Sequence, residues 1–163
     1  MKVAIVMGSK SDYPVVERAE KILSDFGVEF ESRIISAHRT PATAEKFATG
    51  AVSNGIEVLI AAAGKAAHLA GVMAAFTPIP VIGIPIKSTT LDGLDSLLST
   101  VQMPKGIPVA TVAIDGAENA ALLAVQILSL KYPDLQLKMI QYKEKMAQEI
   151  IAIDNEFQKE KKR

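Results

Sequence analysis

The sequence predicts an α/β fold built on an open parallel sheet. Short apolar runs of strand length alternate along it with stretches of helical period. The runs are continuous rather than alternating, which suits strands covered on both faces. Their strand-helix-strand-helix order calls for right-handed crossovers between parallel neighbours. At 163 residues the chain has the length of one compact domain, and residues 1–163 are read as one α/β unit.

The first strand is expected at residues 2–7 (KVAIVM), followed by a helix over 12–26. A second apolar run over 30–35 leads to a helix over 41–52, where Pro41 suits the first helical turn and Thr40 its cap. The third strand, 58–62, is followed by a helix over 66–76, AAHLAGVMAAF. His68 is its one polar side chain, and a helix apolar around its whole circumference is expected to be fully buried. Strands over 80–84 and 109–113 flank a helix over 91–101, and a helix over 117–130 ends the alternation. A last helix, about 135–158, carries a stripe of Met139, Tyr142, Met146, Ile150, Ile153 and Phe157 at spacings of three and four. It follows the last strand-helix unit, so its stripe needs a partner surface, and other subunits are expected to supply one.

Charge and composition exclude several classes. Basic and acidic residues number 18 each, but four of the basic and one of the acidic lie in residues 159–163, leaving a body of net charge −3. Such a surface has no nucleic-acid footprint. With no cysteine there is no disulfide, thiolate nucleophile or zinc-thiolate site, and two histidines, His38 and His68, are too few for a histidine-rich metal cage. The N-terminus enters a strand without the layout of a signal peptide, and no run of about 18 apolar residues offers a membrane span. A soluble cytoplasmic protein is expected. Residues 47–130 carry only eight charges in 84 positions, more apolar surface than one small domain hides alone. Burial between subunits of a homo-oligomer resolves this most simply.

In parallel sheets, ligands sit beyond the carboxyl ends of the strands. There the chain places Gly8-Ser9-Lys10-Ser11-Asp12, small and hydroxylic, either an anion-binding loop or a cap for the next helix. After the second strand come Ser36-Ala37-His38-Arg39-Thr40-Pro41, with a planar fork suited to phosphate beside a group that titrates near neutrality. After the third come Ala63-Gly64-Lys65-Ala66-Ala67-His68-Leu69, which offer backbone amides and a dry wall; His68 reads as a core or interface histidine. The segment Lys87-Ser88-Thr89-Thr90 follows the fourth strand, and Gln102-Met103-Pro104-Lys105-Gly106-Ile107-Pro108 reads as a subunit contact or pocket rim.

Taken together, Met7-Gly8-Ser9-Lys10-Ser11-Asp12, Ser36-Ala37-His38-Arg39-Thr40-Pro41, Ala66-Ala67-His68-Leu69, Asp95-Ser96-Leu97 and the run from Val101 to Val109 resemble the class I N5-carboxyaminoimidazole ribonucleotide mutases of purine biosynthesis. These are also called the catalytic subunit of phosphoribosylaminoimidazole carboxylase. The resemblance implies a three-layer α/β/α sandwich of flavodoxin-like or Rossmann-like type, a homo-octamer, and no metal or organic cofactor. It implies a small-molecule ribonucleotide substrate whose carboxylate moves from an exocyclic nitrogen to a ring carbon. His38 matches the catalytic histidine. Arg39, Ser9 and Ser36 match the phosphate contacts, and Asp12 the substrate-binding aspartate. Gly64, Ala66, Ala67 and Leu69 match the wall of the carboxylate or CO2 pocket. Lys65 and Ala70 depart from the family pattern, which has Gly and Pro there. A direct aminoimidazole ribonucleotide carboxylase using CO2 and a non-catalytic nucleotide-binding domain are the other readings.

Overall fold

Among residues 1–89 and 91–161, which the computed structural model describes, five strands pair in parallel. They are β1 (Lys2–Met7), β2 (Glu29–Ile34), β3 (Val58–Gly64), β4 (Val81–Ile86) and β5 (Ala110–Thr111), in the spatial order β2-β1-β3-β4-β5. The helices are α1 (Tyr13–Phe26), α2 (Pro41–Thr49), α3 (Leu69–Phe76), α4 (Leu94–Val101), α5 (Ala117–Ser129) and α6 (Pro133–Lys161). Thr90, at the end of the 87–90 segment, and the basic Lys162 and Arg163 lie outside the described residues.

The layers follow from the two-residue period of a strand. Val3, Ile5 and Met7 of β1 pack with Val16 and Leu23 of α1, Ala120 and Ala124 of α5, and Leu135 of α6. Val6 faces the other way, onto Ala44 and Ala48 of α2 and Leu69 and Met73 of α3. Both faces of β1, β3 and β4 are covered, so their continuous apolar runs are explained and the fold is a three-layer α/β/α sandwich. The edge strand β2, EFESRI, is open on one side. Gly27 closes α1 at φ +72°, where a Cβ would be strained. The chain then turns back into β2.

Because β2 and β3 flank β1 on opposite sides, the crossovers leave β1 in opposite directions. A crevice opens at the carboxyl ends of β1 and β3, the switch point where ligands gather in such sheets.

Several expectations change here. First, β3 and β4 run two residues further than the apolar runs suggest, pairing Ala63 with Pro85 and Gly64 with Ile86. Gly64 therefore ends a strand instead of lying in a loop. Second, β5 is two residues long, not five. Pro85 is the physical reason. Its carbonyl accepts the Asp115 N–H at 2.8 Å, so the N–H that proline lacks is missing from that same edge and the ladder stops.

Third, the helix expected over 66–76 begins only at Leu69, and it is not fully buried. Leu69, Ala70 and Met73 face the core, while Ala75 and Phe76 are exposed. One sheet face cannot cover a helix that is apolar all round. The Gln102–Pro108 stretch packs in part on this helix, with the Met103 sulfur only 2.8 Å from where a Cβ on Gly71 would stand. At α2, Thr40 holds the capping position but makes no side-chain cap. Its hydroxyl instead donates to the Ser36 carbonyl and accepts the Ser36 N–H, both at 3.0 Å, which closes the loop after β2.

Candidate active site

The loops after β1, β2 and β3, with the segment after β4, enclose a cavity of about 770 Å³. Each loop braces itself before any ligand arrives. Ser9 donates its N–H to Asp12 Oδ2 at 3.1 Å, while the Ser9 hydroxyl accepts the Ser11 N–H at 3.3 Å. This reciprocal box closes the short 3-10 turn over Lys10–Asp12, ahead of α1. Asp12 stands at the entrance of α1 without capping it. The Ser11 hydroxyl donates to Asp12 Oδ1 at 3.2 Å, and the carboxylate's remaining lone pairs are available to a ligand.

Asp12 is buried, and burial pushes its carboxyl above the ordinary value of 3.8. The Ser11 hydroxyl, the Ser9 N–H and the Arg39 charge pull it back, and Asp115 adds to the rise. A carboxyl with a higher pKa in the folded than in the unfolded chain contributes stability that is present below pH 3.8 and lost as pH rises through the folded value. Asp12→Asn cannot ionise. The stability of the wild type relative to Asp12→Asn is therefore expected to fall as pH is raised from below 3.8 toward neutrality, in urea titrations followed by circular dichroism. A difference that is flat or rises with pH would contradict this.

Arg39 joins two loops. Its Nη2 donates to the Gly8 carbonyl at 2.8 Å and its Nε to the Ser36 hydroxyl at 3.3 Å. A guanidinium has five N–H donors, so three remain for an anion. Lysine, a single ammonium, could not tie both loops and still present a fork.

His38 and His68 meet across the cavity. The Nε2 of His38 lies 2.9 Å from the Nδ1 of His68, with the rings nearly perpendicular at 78°. One ring must donate and the other accept, so a single N–H···N hydrogen bond joins the two imidazoles. Sequence reasoning placed His68 inside a buried helix. The late start of α3 instead leaves it at the strand-helix junction, exposed and lining the cavity. The signal was its distance from the end of β3, the same rule that singled out His38.

Of the expected site residues, Ser9, Asp12, Ser36, His38, Arg39, Gly64, Ala66 and Leu69 all line the cavity. Ala67 does not; it is buried behind the wall. A Cβ on Gly64 would come within 3.3 Å of the Ile86 carbonyl oxygen, so the bare backbone lets β3 and β4 end side by side. Lys65, Lys87, Ser88 and Thr89 also line the cavity. Gln102 to Pro108 lie away from it. Among the described residues, no three His, Cys, Asp or Glu side chains converge as a metal site.

The chain is similar to known proteins along most of its length. A family model described as AIR carboxylase matches residues 2–149. The chain is 63% identical over 145 residues to the N5-carboxyaminoimidazole ribonucleotide mutase of Pyrococcus abyssi, covering 89% of this chain and 83% of the relative. It is 54% identical over 150 residues to the protein of that name from Thermotoga maritima, covering 92% and 88%. The crystal structure of Treponema denticola PurE superposes with a TM-score of 0.88 at 33% identity, over 95% of this chain and 97% of that one. The match therefore runs through every loop of the cavity and most of α6, and the chain belongs to the AIR carboxylase family.

Proposed function

We propose that this protein is a mutase of purine biosynthesis, converting N5-carboxyaminoimidazole ribonucleotide to 4-carboxyaminoimidazole ribonucleotide. The observation that carries the reading is the His38–His68 pair, 2.9 Å apart, in a cavity that also holds a braced arginine. The relatives of that name, 54–63% identical, support it.

The chemistry balances without a co-reactant. The carboxylate leaves the exocyclic nitrogen, that nitrogen gains a proton, and the ring carbon gains the carboxylate and loses a proton. One acid-base group can serve both transfers, and His38 is the residue we assign. His68 holds the His38 ring through the hydrogen bond between them. Arg39, Ser9 and Ser36 take the phosphate by charge-assisted hydrogen bonds. Asp12, an acceptor of hydrogen bonds, takes the ribose hydroxyls. Gly64, Ala66 and Leu69, backed by Ala67, wall the migrating carbon. The small and apolar groups of this wall suit CO2, which carries no net charge and must not escape between the two steps.

The same reading takes the protein as cytoplasmic and as a homo-oligomer, an octamer, with α6 beyond Met146 packing on neighbouring subunits. Among the described residues no helix is long and apolar enough to cross a membrane. The experiment supplies N5-carboxyaminoimidazole ribonucleotide in buffer containing labelled bicarbonate. Unlabelled product is expected, because the carbon stays in the pocket. Product that carries the label, or efficient labelling from aminoimidazole ribonucleotide, would replace the mutase by a direct carboxylase.

A further inference from the structure

Lys65 sits at φ +57°, a left-handed conformation that glycine adopts freely and a residue with a Cβ adopts under strain. The fold gains nothing from a side chain at this position. Lys65 is exposed, and among the described residues it makes neither a hydrogen bond nor an ion pair. The other cations of the cavity are engaged: Lys87 pairs with Asp92 at 3.4 Å, and Arg39 tethers Gly8 and Ser36. Lys65 lies between Gly64 and Ala66 and brings a cationic side chain to that wall. Strain kept at a cavity wall without a packing return is the pattern of a functional position.

We infer that Lys65 is a specificity residue that reads the carboxylate of the ligand, an inference that rests on the ribonucleotide reading of the site. The ligand carries two anionic groups, a phosphate and a carboxylate. Arg39 answers the first. Lys65, on a different strand end and on a flexible stem, answers the second. Substrate and product both carry the carboxylate, whereas CO2 between them is uncharged. An ammonium here therefore holds both ends of the reaction more strongly than its middle. Its loss should raise KM without lowering kcat.

The test is calorimetric binding of 4-carboxyaminoimidazole ribonucleotide and of aminoimidazole ribonucleotide, which lacks the carboxylate, to wild type, Lys65→Gln, Lys65→Arg and Lys65→Gly. Lys65→Gln is expected to weaken the carboxylated ligand about tenfold, between the values for a charged hydrogen bond and an exposed ion pair. Affinity for aminoimidazole ribonucleotide should stay the same, and Lys65→Arg should restore most of the loss. Lys65→Gly should bind like Lys65→Gln while melting at the same or a higher temperature, so that a folding defect cannot imitate the effect. Equal changes for both ligands, or none for either, would overturn the role of Lys65 and leave the reading of the site intact. A wild type that binds neither ligand would overturn that reading as well.

Discussion

His38→Asn is expected to lower kcat by about 10²–10⁴-fold, the usual contribution of a positioned acid-base group. Asparagine keeps the polarity and approximate size of imidazole but can neither take nor give the proton that the isomerisation moves. His68→Asn is the sharper comparison. Its Nδ1 lies 2.9 Å from the His38 Nε2, so the substitution frees the ring that must be positioned for proton transfer and should lower kcat by about tenfold. Residues that act as a unit are far from additive, and the double variant should be little worse than His38→Asn alone. Ribonucleotide binding should survive in all three, because Arg39 and the Ser9–Asp12 turn are untouched. Activity of His38→Asn within a few-fold of wild type would remove it from the mechanism. An unchanged kcat in His68→Asn would reduce the contact to packing.

Ile150→Asp is expected to break the assembly and abolish activity with it. The stripe on α6 begins inside the subunit, where Met139 is buried and the Tyr142 ring packs on Phe26 at 5.6 Å. Beyond Met146 this chain covers it no further: Ile150 is 66% and Ile153 61% exposed. At about 1.5 Å per residue the helix is roughly 44 Å long, and within the subunit its main neighbour is α5. On a free subunit an aspartate at so open a position would be harmless. In an interface it buries an unpaired carboxylate, at a cost of several kcal/mol. Light scattering beside an activity assay over a dilution series separates the cases. An Ile150→Asp protein as assembled and active as wild type would return the stripe to solvent, and a fully active wild-type monomer would end the oligomer reading.

The order of elements and the parallel sheet were legible because they depend on local pattern. KVAIVM is apolar at every central position, and only a strand covered on both sides needs that. The loops at the strand ends were legible for a related reason. Ser36-Ala37-His38-Arg39 follows the apolar pair Ile34-Ile35 with groups that would be costly to bury unpaired, so they belong at a surface.

Other features depended on contacts that local pattern does not record. The short β5 follows from the N–H that Pro85 lacks on a neighbouring strand. The partial exposure of α3 follows from how much of a helix one sheet face can cover. His68 is the clearest case. Its neighbours are all apolar, and local pattern made it one more buried position in a helix from 66 to 76. Pairing of Ala63 and Gly64 with β4 carries the strand two residues further and delays the helix to Leu69. The imidazole is thereby left at the junction, against a histidine 30 residues away in the chain. Sequence by itself determined which strand ends would carry polar chemistry, because hydrophobic patterning acts over a few neighbouring residues. Which of those groups touch was decided only by the register and spacing of strands distant in sequence.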